Sequence, residues 1–242
     1  MFFMVKRIER VKTGIPGLDD LVKGGFPKSS TVLVTGGPGT GKTILSAQFV
    51  VRGAEKYKEP GIFISLEEEP ERIVMNLESS FNWPLKVLLK KKMITIIRAE
   101  LYDFAKLRLM IEEEVEKLNA KRLVLDPGTV IGMFFEKELE IRRAFLELNR
   151  LLKRLDCTTL LTCEVPEGRE ALSAFGVEEF TSDGIIVLHC LREKNVFVRA
   201  LSVRKMRATD HDMGIHPIKI TNDGIIVFPR EQVFGKFQSH KF

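Results

Sequence analysis

The sequence predicts an α/β fold: a mostly parallel central sheet flanked by helices and extended by C-terminal antiparallel hairpins. Up to about residue 183, short apolar runs of strand length alternate with longer stretches of helical period, the order that βαβ crossovers require. Those runs are apolar without alternation, as parallel strands covered on both faces are. Beyond residue 183 the runs come in pairs around short polar turns, which is hairpin patterning.

Residues 31–35 (TVLVT) form the first buried strand, and a helix is expected over 42–57. Residues 61–66 (GIFISL) precede a helix opened by Pro70, a residue favoured at the first helical position. Residues 94–97 precede a helix over 104–118, and the strand at 122–125 ends at Asp126. Leu139, Arg142, Phe145, Leu148 and Leu152 mark one face of a long helix, with Arg142 at the edge of the stripe. Residues 158–162 (TTLLT) make a further buried strand. The runs 184–191 and 196–203 flank the polar turn Arg192-Glu193-Lys194-Asn195. The runs 217–220 and 224–228 flank Thr221-Asn222-Asp223-Gly224, an Asp-Gly hairpin turn.

No internal repeat, low-complexity stretch or linker interrupts the chain, so one domain over 1–242 is expected. It divides into an N-terminal segment (1–28), a core (29–229) and a tail (230–242). The tail carries Phe234, Phe237 and Phe242 among polar residues, and reads as a frayed end or as a segment docking on a neighbour.

At 44% hydrophobic and 29% charged residues of mixed sign, the composition argues against both disorder and membrane residence. No apolar run approaches the roughly 18 residues of a membrane span. Met1-Phe2-Phe3-Met4-Val5, followed by Lys6-Arg7, has too short an apolar stretch and the wrong charge order for a signal peptide. A cytoplasmic location is therefore expected. Cys157, Cys163 and Cys190 form no CxxC pair, and Cys157 and Cys163 read as buried thiols. A net charge of +5 suits phosphate-bearing ligands and permits nucleic acid without indicating it.

Gly36-Gly37-Pro38-Gly39-Thr40-Gly41-Lys42-Thr43 satisfies GxxxxGK[ST] at every constrained position, between a strand and a helix. Glycines there let the backbone turn its N–H groups inward around phosphate oxygens, and the helix dipole favours the anion. Lys42 can reach the β- and γ-phosphates of ATP, and the Thr43 hydroxyl can hold Mg²⁺. Such a site needs an acidic residue at the end of a buried strand, and Asp126 supplies it, although an Asp before Pro127 also suits a turn. Hydrolysis needs a group to orient or deprotonate water, and Glu67-Glu68 closes the strand at 62–66. Neighbouring strand residues point to opposite faces, so only one of the two faces the phosphate directly and the other can tune its pKa. Lys205 and Arg207 end the second hairpin strand on one face. They read as a solvated basic strand end or as an arginine-finger pair for an adjacent subunit.

These segments resemble the RecA-like ATPases, specifically the KaiC branch. The opening Thr13-Gly14-Ile15-Pro16-Gly17-Leu18-Asp19-Asp20-Leu21 with Gly24-Gly25-Phe26-Pro27 is similar to the stretch before the P-loop in that family. Phe63-Ile64-Ser65-Leu66-Glu67-Glu68 resembles its catalytic double-glutamate strand. Gly176-Val177-Glu178-Glu179-Phe180-Thr181-Ser182-Asp183 and Lys205-Met206-Arg207-Ala208-Thr209-Asp210-His211 resemble two further KaiC-type segments. The resemblance covers about residues 9–230. It implies a RecA-like P-loop NTPase assembled as a hexameric ring, with ATP and Mg²⁺ between subunits. One subunit would supply the P-loop, Glu67, Glu68 and Asp126. Its neighbour would supply Lys205 and Arg207, with Thr209 and His211 nearby. By the same matching Ser80, Thr221 and Asn222 would lie close to the nucleotide.

The chain departs from the clock members of this branch in carrying one such domain rather than two in tandem. Their kinase half has an adjacent Ser-Thr phosphoacceptor pair, and the matching positions here are Glu179 and Phe180, which cannot take a phosphate. Nucleic-acid-binding relatives insert loops from about 164–180 into the ring channel; here Glu164, Glu167, Glu170, Glu178 and Glu179 face Arg169 alone. An acidic channel repels phosphate backbones, so little DNA stimulation is expected. The expected function is slow Mg²⁺-dependent ATP hydrolysis at subunit interfaces. The alternatives are an ATP-gated scaffold with incidental hydrolysis and a RadA-like recombination or repair factor.

Overall fold

The fold is built around one strand whose six residues are all buried, β3, in a computed structural model that describes residues 8–100, 103–165, 172–193 and 195–233. In chain order the elements begin with β1 (Arg10–Val11), α1 (Leu18–Leu21), β2 (Phe26–Pro27), β3 (Thr31–Gly36) and α2 (Lys42–Arg52). They continue through β4 (Gly61–Ser65), α3 (Pro70–Ser80), α4 (Leu85–Lys90), β5 (Ile94–Arg98), α5 (Phe104–Leu118), β6 (Arg122–Asp126), α6 (Glu138–Arg154) and β7 (Thr158–Glu164). The last are α7 (Glu178–Thr181), β8 (Gly184–Glu193), β9 (Val196–Met206), β10 (Ile215–Thr221) and β11 (Gly224–Val227). The aromatic tail residues Phe234, Phe237 and Phe242 lie outside the described residues.

Nine strands form one sheet in the order β11-β10-β9-β8-β3-β7-β6-β4-β5. β8, β3, β7, β6, β4 and β5 run parallel, and β9, β10 and β11 continue the sheet antiparallel. This is the mostly parallel α/β architecture with C-terminal antiparallel hairpins that the patterning predicts. Alternate residues of each inner strand feed two separate cores. Val32, Val34, Phe63, Val124 and Leu160 pack with α2, α3 and α4, while Leu33, Ile62, Ile64, Leu123, Leu125 and Leu161 pack with α5 and α6. Continuous apolar runs are thus required by burial on both faces.

α6 departs from its expected stripe. Leu139 is 59% exposed, and the buried residues are Ile141, Ala144, Phe145, Leu148, Leu151 and Leu152. Counted from Ile141 the i, i+3, i+4, i+7 ladder closes, whereas Leu139 is two residues, about 200°, off it. Arg142 is likewise exposed, one step outside the stripe. The helix expected over 42–57 ends as α-helix at Arg52 and continues as a π turn over Gly53–Tyr57.

Where α2 widens, the fully buried Arg122 enters. Its guanidinium lies over the Phe49 and Tyr57 rings, 4.5 and 5.3 Å from their centroids. It donates to Phe49 O (2.8 Å), Lys12 O (2.7 Å) and Thr13 O (3.5 Å), and pairs with Glu59 at 2.6 Å. The N-terminal segment, the far end of α2 and β6 are tied together there. Cys157 and Cys163 are buried free thiols, and burial pushes both up to about 12, while Cys190 is exposed. Among the described residues no helix is long and apolar enough to cross a membrane.

Candidate active site

The carboxyl ends of β3, β4, β6 and β7 open on one side of the sheet, where the chain leaves β3 for the loop before α2. Gly39 and Gly41 in this loop have φ of 72° and 104°, a left-handed backbone that favours glycine. A side chain at Gly37 or Gly39 would meet nothing within 4 Å, so open space borders the loop at both positions. Thr40 Oγ1 donates to Gly37 O at 2.9 Å and holds the turn. Lys42, 8% exposed, folds back over the loop, its Nζ donating to Gly36 O and Gly37 O at 3.0 Å each. A nearly buried ammonium above an open loop at a helix N-terminus is a fit for phosphate. Pro38 is exposed on the rim.

Asp126, the last residue of β6, accepts a hydrogen bond from Thr162 of β7, and the Thr43 hydroxyl lies close enough to act on its carboxylate. Burial raises its pKa, and the two hydroxyls and the charge of Lys42 oppose the rise. A threonine hydroxyl against a carboxylate is a set of hard oxygen donors and fits Mg²⁺. β4 stops at Ser65, so Glu67 lies two residues past the strand, not on it as the sequence suggested. Leu66 N still bonds Asp126 O (2.8 Å), and Glu67 N bonds Ser65 Oγ (3.3 Å), so the turn stays pinned to β6. The Glu67 carboxyl is raised above the ordinary range, first by burial, then by the charges of Glu164, Asp126 and Glu68. Glu67 and Glu68 both remain exposed, so the desolvation behind that rise is partial.

Glu164 is a residue that sequence reasoning assigned only to an acidic loop. It ends β7 as Asp126 ends β6, and its Oε1 stands 4.0 Å from Lys42 Nζ. Its signal was the same one used for Asp126, an acidic residue closing an apolar run. Arg199 on β9 was also missed; its Nε donates to Gly39 O at 3.0 Å. The acidic stretch is less open than expected. Glu178 is buried, accepting from Phe175 N and Val177 N, and the carboxylate of Glu179 accepts from Ser173. Glu167, Arg169 and Glu170 lie outside the described residues.

A second group gathers elsewhere. Lys205 Nζ donates to Glu179 O (2.8 Å) and Ser182 O (2.7 Å), and Arg207 Nη1 to Asp183 Oδ1 (3.3 Å). Burial, then the charge of Arg207, lowers the pKa of Lys205. Thr209 Oγ1 donates to Arg207 O and accepts from Arg10, and His211 Nδ1 lies 3.1 Å from Asp212 O. Strand register fixes their place. Gly184 pairs with Met206 on one side and Val32 on the other, and Leu188 pairs with Gly36. Arg207 therefore sits beside the start of β3, about 16 Å along the strand from its end, and Lys205, level with Leu33, about 10 Å from it. The structure does not bring them to their own P-loop.

Ser80, Thr221 and Asn222 form a third group, on the flank of α2. Asn222 O accepts from Asn82 N (2.7 Å), Asp223 O accepts from Trp83 Nε1 (3.0 Å), and Thr221 Oγ1 donates to Gly224 O (3.0 Å). Ser80 is exposed at the end of α3. Gln48 of α2 holds this hairpin, donating to Ile225 O and accepting from Ile225 N.

A family model described as "ATPase: KaiC" matches residues 11–232. The UPF0273 protein PH0284 of Pyrococcus horikoshii is 38% identical over 237 residues, covering 91% of this chain and 94% of that protein. The circadian clock oscillator protein KaiC of Parathermosynechococcus lividus is 36% identical over 235 residues. That match takes in 93% of this chain and 43% of the clock protein, so the chain spans less than half of that relative. The crystal structure of KaiC-like protein PH0186 from Pyrococcus horikoshii OT3 shares the fold at a TM-score of 0.83 and 42% identity, covering 92% of this chain and 100% of that one. The matched span includes every strand of the nine-stranded sheet and all three groups of candidate residues, and the chain belongs to the KaiC ATPase family.

Proposed function

We propose that the chain is a cytoplasmic, Mg²⁺-dependent ATP hydrolase whose complete site is shared between adjacent copies of a hexameric ring. The observation that carries this reading is the separation of Arg207 from its own P-loop by the length of β3, with Lys205 part-way along it. A cationic pair at one end of the sheet and a phosphate cradle at the other match when copies stack head to tail.

In this mechanism the amides of residues 37–43 and Lys42 bind the β- and γ-phosphates and hold the γ-phosphorus for in-line attack. Thr43 and Asp126 would hold Mg²⁺, which would supply charge neutralisation on the phosphate oxygens. Glu67 accepts the proton of the attacking water, its raised pKa making it a stronger base than an ordinary glutamate. Glu68 adds to that rise. Lys205 and Arg207 of the neighbouring copy stabilise the charge that builds on the transferred group. Thr209, His211, Ser80, Thr221 and Asn222 complete the walls around the nucleotide.

Mixing two impaired chains tests this. Lys42→Ala is expected to abolish phosphate release, and Arg207→Ala to lower it about 10³-fold to a residual rate that can still be measured. In a random mixture, about a quarter of interfaces join an intact P-loop to an intact arginine, and activity returns. A mixture that stays at the residual rate although each variant assembles would overturn the shared site.

A further inference from the structure

Asp183, between α7 and β8, is a buried carboxylate that collects donors from three parts of the fold. Its Oδ2 accepts from Thr31 N (3.1 Å) at the start of β3, and its Oδ1 accepts from Lys153 Nζ at the end of α6 (3.0 Å) and from Arg207 Nη1 (3.3 Å). The main chain repeats the link: Asp183 N donates to Thr31 O and Arg207 N to Asp183 O, both at 2.8 Å. The exposures differ sharply. The side chain of Asp183 is 8% exposed and that of Arg207 is 54% exposed. Arg207 is thus gripped at one nitrogen and open at the rest, and a guanidinium carries five N–H donors in a rigid fork. Thr31 fixes the carboxylate from a strand buried along its whole length, and Lys153 offsets its charge, so the acceptor cannot follow the arginine if it swings.

We propose that Asp183 is a positioning residue for the shared site, holding Arg207 from behind so that its remaining N–H groups face the phosphate bound by the next copy. This rests on the shared-site reading. Nothing in the sequence marks the role, because Asp183 is 24 residues from Arg207 and reaches it only across the β8–β9 hairpin. The bland account of Asp183, a staple between β8 and β3, differs in what it predicts.

The test is an Asp183→Asn chain, assayed alone, in an Arg207→Ala background and in mixtures. Alone, kcat is expected to fall about 10²-fold, the cost of a misplaced group, with KM for ATP nearly unchanged because the P-loop of the same chain is intact. In the Arg207→Ala background the substitution should cause no further loss; a staple would give an additive one. Mixed with Lys42→Ala the variant should regain activity, and mixed with Arg207→Ala it should not. A wild-type kcat, an additive loss, or no recovery with Lys42→Ala overturns the proposal, provided the Arg207→Ala and Lys42→Ala mixture recovers. If that control mixture also fails, the shared site itself is what falls, and the positioning role with it. Asp183→Glu keeps the charge and is run in parallel against a folding defect; it is expected to lose kcat by a smaller factor, again without further loss beside Arg207→Ala.

Discussion

Glu164 Oε1 lies 4.0 Å from Lys42 Nζ, so the acidic end of β7 and the cation of the P-loop share one side of the sheet. The same carboxylate raises the pKa of Glu67, second only to burial. A base works deprotonated, so turnover is lost as pH falls through the raised value. Removing a negative neighbour lowers that value. Glu164→Gln is therefore expected to move the acid limb of the kcat/KM profile to lower pH, read by phosphate release between about pH 4 and 8. Glu67→Gln should lower turnover about 10²- to 10⁴-fold at every pH. An acid limb that stays in place in Glu164→Gln would separate the two carboxylates.

Arg122 predicts a stability effect remote from the chemistry. Its guanidinium is fully buried, pairs with Glu59 and serves three main-chain carbonyls. Arg122→Met leaves Glu59 without its cation and the carbonyls of Lys12 and Phe49 without this donor. A loss of about 3–5 kcal/mol is expected, measured as a drop in the denaturant midpoint with unchanged slope.

Gln48 offers a local probe. It is buried and bonds both main-chain groups of Ile225, and Trp83, the only tryptophan, bonds Asp223 O in the adjoining turn while stacking on Phe81. Gln48→Ala should cost about 2 kcal/mol, since two hydrogen bonds go and a buried main-chain pair is orphaned. It should also red-shift Trp83 emission before global unfolding. Coincident transitions by fluorescence and circular dichroism would show that the hairpin does not loosen separately.

Much of the fold was legible because the inner strands are buried on both faces: 31–35, 61–66, 122–125 and 158–162 read as short runs without polar alternation. Elements with little period were not legible, namely β1, β2, the six-residue α4 and the short α7. Leu139 misled because hydrophobicity alone placed it on a stripe whose phase is set by Ile141. In the site, the P-loop, Glu67, Glu68 and Asp126 were named from local pattern. Glu164 carries the same pattern but opens an acidic stretch, which masks it as a strand-ending carboxylate. The separation of Lys205 from the P-loop was beyond spacing arguments, because it depends on β8 lying parallel beside β3 and on the hairpin turning back.

That separation has a consequence for counting. On the shared-site reading each copy offers one cradle at one end and one cationic pair at the other. Two copies in line hold one finished site, and an open row of any length holds one fewer than its members. Only closure gives every member a site. Specific activity per chain should therefore climb with protein concentration and level off once rings outnumber open rows, making the hydrolysis rate itself a gauge of assembly.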